Sequence, residues 1–451
     1  GAQQILRHTK MRIEQGDRFG LGPATQIASG AIEELKIRCP EITLIEVAGS
    51  VKRGVELVGD INILCAIAEG ADPATVLECF ATLPSAHKIL SQDASNIRIA
   101  DNSGKFMSIK VVPAKAWAGA LVYATGSIAH GRKLEEIAVQ NDLVLTEDGL
   151  YENGADDPVV AETEADIYDL LNLNFIPPEM REDSSEIELA ETSDFSRILK
   201  LSDIRGDLHS HTNWSDGRYP MEEMVASAAA DRGFEYLAIT DHSPSATVAN
   251  GLVPDMLLAH NSAVKELDKT SELRLLTGTE MDIKPDGSLD YSDELLADLD
   301  IVIASIHSGM DQDEATMTQR VIDAMESPHV DIICHLTTRL TERRAAVEID
   351  IEAILNAAVR TGTVMEINAS PDRLDLKAEH VRMGVDRGVI FAVNTDSHRT
   401  CQFGNLRFGV QTAIRGWVES GQVINTLHYA ELMAFLALPK TERYAFKKPR
   451  G

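Results

Sequence analysis

The sequence predicts an α/β protein whose C-terminal half is a TIM-like (β/α)7 barrel, with a smaller α+β region in front of it. Three observations carry this reading. From Asp203 onward, seven short apolar runs alternate with helix-patterned stretches, as parallel strands with crossover helices do. Seven such units in about 230 residues suit a closed barrel better than an open sheet. A His, Asp or Glu follows almost every run, where the strand C-termini of a parallel barrel open on one face.

Taken in order, Ala24 to Leu35 has helical periodicity, and Leu44–Val47 and Asp60–Ile67 read as strands. Between them Gly49-Ser50-Val51-Lys52-Arg53-Gly54 reads as a small-residue turn with two positive charges. Residues 151–200 are acidic and contain Pro177-Pro178, which predicts a short helix, Glu164–Leu173, and then a linker. The barrel strands are expected at Gly206–His209, Tyr236–Thr240, Leu273–Thr277, Ile301–Ser305, Val330–Cys334, Val364–Ile367 and Val389–Val393, with helices such as Met221–Arg232, Leu257–Leu267 and Ile351–Thr361.

A length of 451 residues suggests two or three domains. No run approaches the roughly 18 to 20 apolar residues of a membrane helix, so no membrane partner is expected. The first residues have no basic-then-apolar leader pattern, and Gly1-Ala2 in place of Met fits a tag remnant or a fragment. Cys39, Cys65, Cys79, Cys334 and Cys401 are odd in number and form no CxxC, which points to a reducing, cytoplasmic setting and away from a cysteine zinc site. The net charge of −29 is uneven: 15 Lys/Arg against 18 Asp/Glu in residues 1–150, 3 against 14 in 151–200, and 24 against 39 thereafter. Such acidity predicts weak, salt-sensitive contact with any phosphate backbone, although bound metal would neutralise part of it. Oligomeric state is not legible.

The chemistry is expected at the strand ends. His209 and His211 follow the first run, with Asp216 in the loop behind, and His242 follows the second. Glu280 follows the third, His307 the fourth and His335 the fifth, and Asp396 and His398 end the seventh. An i, i+2 spacing puts each close pair on one side of an extended backbone. Imidazole and carboxylate together suit Zn, Mn or Fe, and with no cysteine among them the donor set is moderately hard. A catalytic metal keeps about three protein ligands, so nine candidates predict about three divalent ions. A metal-bound hydroxide held by these ligands would then attack phosphorus, as phosphate-ester hydrolysis requires. A lone histidine after a strand is usually structural; six histidines with two aspartates and a glutamate on one face are not. Arg339 could bind substrate phosphate or be a solvated arginine, and Glu366 could support a ligand or the fold.

These stretches resemble the PHP (polymerase and histidinol phosphatase) superfamily, and in particular the PHP domain of bacterial family X DNA polymerases. The resemblance is carried by Asp203 to Thr212 (DIRGDLHSHT), Trp214-Ser215-Asp216-Gly217, Glu235 to Ser243 (EYLAITDHS), Gly287 to Tyr291 (GSLDY), Ala304 to Ser308 (ASIHS) and Asn394 to His398 (NTDSH). One departure is Cys334-His335-Leu336, where the family usually reads Gly-His-Pro. The N-terminal region resembles the palm and thumb of the same polymerases, a nucleotidyltransferase-like α+β arrangement: Ala48 to Gly54, Gly59-Asp60-Ile61-Asn62, Thr125-Gly126-Ser127 with Ala129-His130, and Ile176-Pro177-Pro178-Glu179. The resemblance implies a finger remnant at 1–30, a palm at 31–115, a thumb at 116–180, a linker at 181–202 and the phosphoesterase at 203–440. The helix-hairpin-helix expected ahead of the palm is not recognisable.

Nucleotidyl transfer uses three carboxylates to hold two metals, but here the equivalent positions read Asp60, Asn62 and Ser108. An amide and a hydroxyl hold Mg²⁺ far more weakly than carboxylates. Ala124, Ile128 and Gly131 also replace the usual thumb residues. A vestigial nucleotide site at Gly49, Ser50, Arg53 and Asp60 is the functional reading of this turn; a retained scaffold is the bland one. The resemblance thus implies a DNA-repair phosphodiesterase acting on recessed or gapped 3′ ends, a 3′–5′ exonuclease with 3′-phosphatase or abasic-site activity also open. Its alternatives are a small-molecule phosphatase of histidinol-phosphatase type, a protein with structural metals, and a Mn²⁺-dependent polymerase.

Overall fold

The computed structural model describes residues 2–445. They divide into two compact units, one spanning Gln15–Ser196 and the other containing the barrel from Arg197 onward. Among the described residues no helix is long and apolar enough to cross a membrane.

In the first unit helix Leu21–Arg38 extends the expected periodic stretch, burying Leu21, Ala24, Ala28, Ala31 and Leu35 on one face. A five-stranded sheet runs in the order Ile42–Ala48, Asp60–Ile67, Phe106–Pro113, Asn96–Asp101, Ala86–Gln92. Its two central strands, Asp60–Ile67 and Phe106–Pro113, are parallel and pair Asn62 with Ser108. The expected turn after Ile42–Ala48 is a short helix, Gly49–Lys52. Helix Ile128–Gln140 starts at Ser127, whose Oγ accepts from His130 N–H at 3.1 Å.

The second unit is a nearly closed barrel of seven parallel strands joined in sequence order. They are β1 (Gly206–Asp207), β2 (Tyr236–Ile239), β3 (Arg274–Asp282), β4 (Ile301–Ser305), β5 (Ile332–Ile333), β6 (Val364–Asn368) and β7 (Phe391–Asn394). A helix follows each: α1 (Met221–Arg232), α2 (Pro254–Asp268), α3 (Asp293–Leu296), α4 (Glu314–Glu326), α5 (Ile351–Thr361), α6 (Ala378–Arg387) and α7 (Leu406–Arg415). Alternation along the strands builds two apolar layers. Ile301 and Ile303 point into the barrel with Tyr236, Ile332 and Cys334, while Val302 and Ala304 face the helices with Leu355 and Val321. Fully burying one such aliphatic side chain contributes about 1.5–3 kcal/mol. The helices start on local chemistry: Asp313 caps α4, Asp350 caps α5, and Pro254 opens α2.

The ladders are shorter than expected at β1 and β5, and longer at β3. That strand pairs with β2 through Arg274–Thr277, then with β4 through Gly278–Asp282, so it carries Glu280 within a strand rather than in a loop. The switch occurs at Gly278, where a Cβ would lie 2.9 Å from Ile301 Cγ2 and 3.0 Å from its carbonyl oxygen. No side chain fits between the strands there.

Closure joins β7 back to β1. His211 N–H donates to Ser397 O at 2.9 Å, and the buried Asn425 amide spans both strands. Its Oδ1 accepts from Val393 N–H at 2.8 Å, and its Nδ2 donates to Gly206 O and Asn394 Oδ1, each at 3.0 Å. Asn425→Ala strands these buried groups, at about 1–3 kcal/mol for each one left unpaired. Urea denaturation followed by circular dichroism should show a barrel destabilised by about 3 kcal/mol; a change under about 0.5 kcal/mol, the usual range for surface positions, would refute this role.

Candidate metal centre

His209 and His211 leave the end of β1 on the same side of the chain, and the loop beyond them is held by Asp241. One Asp241 oxygen accepts from Thr212 N–H (2.9 Å) and Ser215 Oγ (2.5 Å), the other from Thr212 Oγ1 (2.7 Å), with His260 Nε2 at 3.0 Å. The loop turns back on itself at Gly217, where a Cβ would lie 2.6 Å from the Thr212 carbonyl carbon. A side chain at 217 would push Asp216 off the barrel mouth.

Glu280 stands at the middle, 1% exposed. Its Oε1 lies 2.7 Å from His335 Nε2 and 3.3 Å from His307 Nε2. Its Oε2 lies 3.4 Å from both His209 Nε2 and His211 Nε2, and 3.0 Å from His242 Nδ1. Asp396 Oδ1 is 3.4 Å from His209 Nε2 and 3.3 Å from His211 Nε2. Asp216 Oδ1 is 3.2 Å from His398 Nε2 and 3.5 Å from His242 Nε2. All nine residues expected from the sequence therefore converge at one mouth.

Two ligand atoms each about 2.1 Å from one ion stand about 3.0–3.4 Å apart at octahedral or tetrahedral angles, the range of most of these separations. Glu280 Oε2, His211 Nδ1, His242 Nδ1 and His335 Nδ1 are buried and make no well-aligned hydrogen bond, although His242 Nδ1 lies 3.0 Å from Glu280 Oε2. Orphaned polar atoms in a dry site are costly, and cations among them would remove the cost. Among the described residues the donor atoms form four overlapping groupings. One is His209, His211, Glu280 and Asp396; another is His211, Asp216, His242 and His398. Around Glu280 lie His242 with His307, and His209 with Cys334 and His335. The residues present can thus hold divalent ions. His335 (φ 26°) and Asp396 (φ 55°) take left-handed backbone that non-glycine residues avoid, at a cost of about 1–3 kcal/mol each. Cys334 enters this set against the expectation of a centre without cysteine: β5 ends one residue before it, and its side chain points into the barrel.

Outer partners fix the donors. His209 Nδ1 lies 2.7 Å from Glu366 Oε1. Glu366 also accepts from Asn394 Nδ2 (3.0 Å), Asn368 Nδ2 (3.1 Å) and His335 N–H (2.9 Å). It therefore holds two of the candidate donors, His209 and His335. Asp282 Oδ1 accepts from His307 N–H at 2.9 Å.

The electrostatics follow from burial against pairing. Burial alone would lower the pKa of His307, but the carboxylates of Glu280 and Asp282 outweigh it and hold it at about 9. His398 is likewise held at about 9 against burial by Asp216 and Asp396. His211 falls to about 4, through burial and then the neighbouring His398 and His242. Glu280 and Asp396 stay far below the usual carboxylate range despite burial, because histidines surround them.

The arginine singled out from sequence, Arg339, is half-buried against backbone: its Nε donates to Arg373 O at 2.9 Å, and its Nη2 to Leu374 O. Arg373 brings a guanidinium to the centre, with Nε 3.3 Å from Asp396 Oδ2. Nothing in the local sequence marks it, since it lies in a loop beyond β6. In the first unit, Ser108 Oγ donates to Asn62 Oδ1 at 2.7 Å and Asn62 Nδ2 to Asp60 Oδ1 at 3.1 Å. Arg98 lies 3.6 Å from Asp60 Oδ2. Arg53 Nε donates to Glu182 Oε1, and its Nη1 to Thr125 O, both at 2.8 Å. Gly49 (φ 60°) faces Asn62, whose Nδ2 would lie 3.0 Å from a Cβ.

The DNA polymerase beta thumb model matches residues 120–182, and the PHP domain model matches residues 207–370. A relative named DNA polymerase/3′-5′ exonuclease PolX, from Bacillus subtilis, is 37% identical over 437 residues, covering 96% of this chain and 75% of the relative. The chain belongs to the PolX family. Proteins named "Probable phosphatase" also match, through one segment: one from Shewanella sediminis is 32% identical over 44% of this chain and 80% of its own, and one from Thermoanaerobacter pseudethanolicus 29% identical over 49% and 89%. The chain therefore combines a thumb-bearing region with a PHP barrel.

Two outcomes are expected at the centre. Glu366→Gln removes the charge that orients His209 and should weaken metal retention against a competing chelator about 10- to 100-fold; unchanged retention would remove Glu366 from the site. The second concerns pH. His307 and His398 are raised from an ordinary 6.5 to about 9, so in metal-free protein their pairing stabilises the fold below pH 6.5 and is lost as pH rises through 9. Chelator-treated protein should melt progressively lower across that window. Metal-loaded protein should not, because ligation requires neutral imidazole and gains as protons leave. Parallel calorimetric pH series with and without chelator test this, and matching slopes would contradict it.

Proposed function

We propose that this chain hydrolyses phosphodiester bonds at DNA 3′ ends as a metal-dependent 3′–5′ exonuclease, with 3′-phosphatase or abasic-site activity at the same centre. The observation that carries the reading is the sharing of Glu280 among five imidazoles, which links the donor groupings edge to edge. We assign His209, His211, Asp216, His242, Glu280, His307, His335, Asp396 and His398 as ligands of about three ions, Mn, Zn or Fe. Such ions, when bound, neutralise phosphate oxygens and make water a nucleophile near neutral pH.

The chain's own residues do the rest. Glu366 and Asp282 hold His209 and His307 in place. Asp241 anchors the loop that presents Asp216. Arg373, beside Asp396, is placed to pair with a substrate phosphate oxygen. The strained turns at His335 and Asp396 keep donors oriented before substrate arrives.

The palm is proposed to hold DNA without extending it. Asn62 and Ser108 bond to one another at the place of two carboxylates, and Arg98 faces the remaining Asp60. The tie of Arg53 to Glu182 and Thr125 favours a scaffold role for the Gly49–Arg53 turn over phosphate binding. The relative is named a 3′-5′ exonuclease, which supports DNA 3′ ends as substrate; recessed or gapped duplex as their form and the cytoplasm as the setting are part of the proposal. A second reading, hydrolysis of small phosphate esters, is favoured by the phosphatase relatives of the barrel and by the net charge of −29.

The deciding assay incubates the protein with an end-labelled, 3′-recessed duplex and Mn²⁺, with and without dNTPs, beside His307→Ala. Stepwise shortening from the 3′ end is expected, no extension with dNTPs, and a loss in the variant of at least about 100-fold. Metal-loaded wild type that leaves DNA intact but cleaves a sugar phosphate would establish the second reading; primer extension would overturn the proposal for the palm.

A further inference from the structure

Cys334 stands where the family usually reads glycine, and its surroundings are those of a donor atom. Its side chain points into the barrel with Ile332, two residues before it, while Ile333 between them faces the helices. The left-handed turn at His335 (φ 26°) then swings the next side chain over the same point. Two consecutive residues, which on a strand would face opposite sides, thus reach one site. Cys334 is fully buried, and its Sγ lies 3.6 Å from Glu280 Oε1, the oxygen that is 2.7 Å from His335 Nε2. Sγ, a Glu280 oxygen and ring nitrogens of His209 and His335 all fall within 4.8 Å of one another. His335 Nδ1, on the other side of that ring, is buried without a hydrogen-bond partner. A buried free cysteine usually packs as a small apolar side chain; this one lies 3.4 Å from Ala304 O and beside two imidazoles and a carboxylate.

We infer that Cys334 Sγ is a metal ligand, completing a His209–Glu280–Cys334–His335 donor set at the floor of the centre. The inference rests on the reading of the mouth as a metal site and adds a third donor type, thiolate, to its imidazoles and carboxylates. On binding, the S–H bond breaks, its proton leaves to solvent and the sulfur lone pair forms the bond to the ion; no electron changes hands. A soft sulfur donor biases that position toward zinc or ferrous iron over manganese, which prefers oxygen. The neighbouring positions, built from imidazole and carboxylate alone, keep the harder preference.

Cobalt substitution of the full chain reads this directly. Wild-type protein loaded with Co²⁺ should show an intense sulfur-to-cobalt charge-transfer band in the near ultraviolet, and X-ray absorption of the zinc-loaded protein should show a sulfur scatterer at about 2.3 Å. Cys334→Ser and Cys334→Gly should lose the band, and the glycine variant should shift the zinc-over-manganese preference about tenfold toward manganese. Cobalt retained at the barrel without the band, or a band that persists in both variants, overturns the cysteine ligand and leaves the metal centre standing. Failure of the wild-type barrel to retain any metal overturns both. The scattering measurement needs no variant, so a misfolded substitution does not blunt the test.

Discussion

A single buried carboxylate sets the terms for the barrel. Glu280 is almost fully enclosed and has five imidazoles within 3.4 Å of its two oxygens. An uncompensated charge in such a place would be prohibitive, so the histidines around it are as much a condition of folding as of chemistry. They come from β1, β2, β4 and β5, and Glu280 can meet them all because β3 changes partners at Gly278 and runs on to Asp282. Positive charge in the mouth, whether protons or cations, is what the arrangement demands.

Around this inner ring lies a second ring of acids that face donors rather than solvent. Glu366 holds His209, Asp282 holds the backbone of His307, and Asp241 holds the loop from Thr212 to Ser215. Asp207 accepts from Thr395 N–H and is itself pushed up to about 6 by burial. Part of the chain's large negative charge is therefore internal, and is balanced there by histidine, Arg373 and hydroxyl or amide donors. An acidic composition read as a repulsive surface overstates the repulsion a phosphate backbone would meet.

Much of this was legible in the sequence where chemistry and spacing coincide. The pair His209/His211 and the strand Ile301–Ser305 needed nothing beyond local pattern, since each depends on a period of two along one chain. Asp396 and His398 also reach the mouth, but the backbone at Asp396 is left-handed and not extended as the spacing implied. The continuation of β3 was hidden because Gly278, Thr279 and Glu280 resemble a loop when their partners on β4 are unknown. Arg373 was invisible for a similar reason: its value comes from a fold-back that sets it beside Asp396, while Arg339, which looked the better candidate, turns to backbone carbonyls. Cys334 was set aside because it has no CxxC partner, while its place beside the donors depends on the left-handed turn at His335, which local pattern does not show. The palm positions Asp60, Asn62 and Ser108 could be grouped by resemblance, but that Ser108 bonds to Asn62 is a matter of register between parallel strands.

The strand order carries a consequence for how the molecule comes into being. Neighbours in the barrel are neighbours in the chain, so the wall is laid down in the order of synthesis, and the seam joins its first-made and last-made edges. Asp396 and His398 belong to the last edge, yet their partners His209, His211 and Asp216 belong to the first. During translation the unit ending at Ser196 is out of the ribosome well before that seam can close. Hydrolytic capacity thus waits on the seam, and a polypeptide cut short before residue 396 would retain the unit ending at Ser196 without a complete mouth.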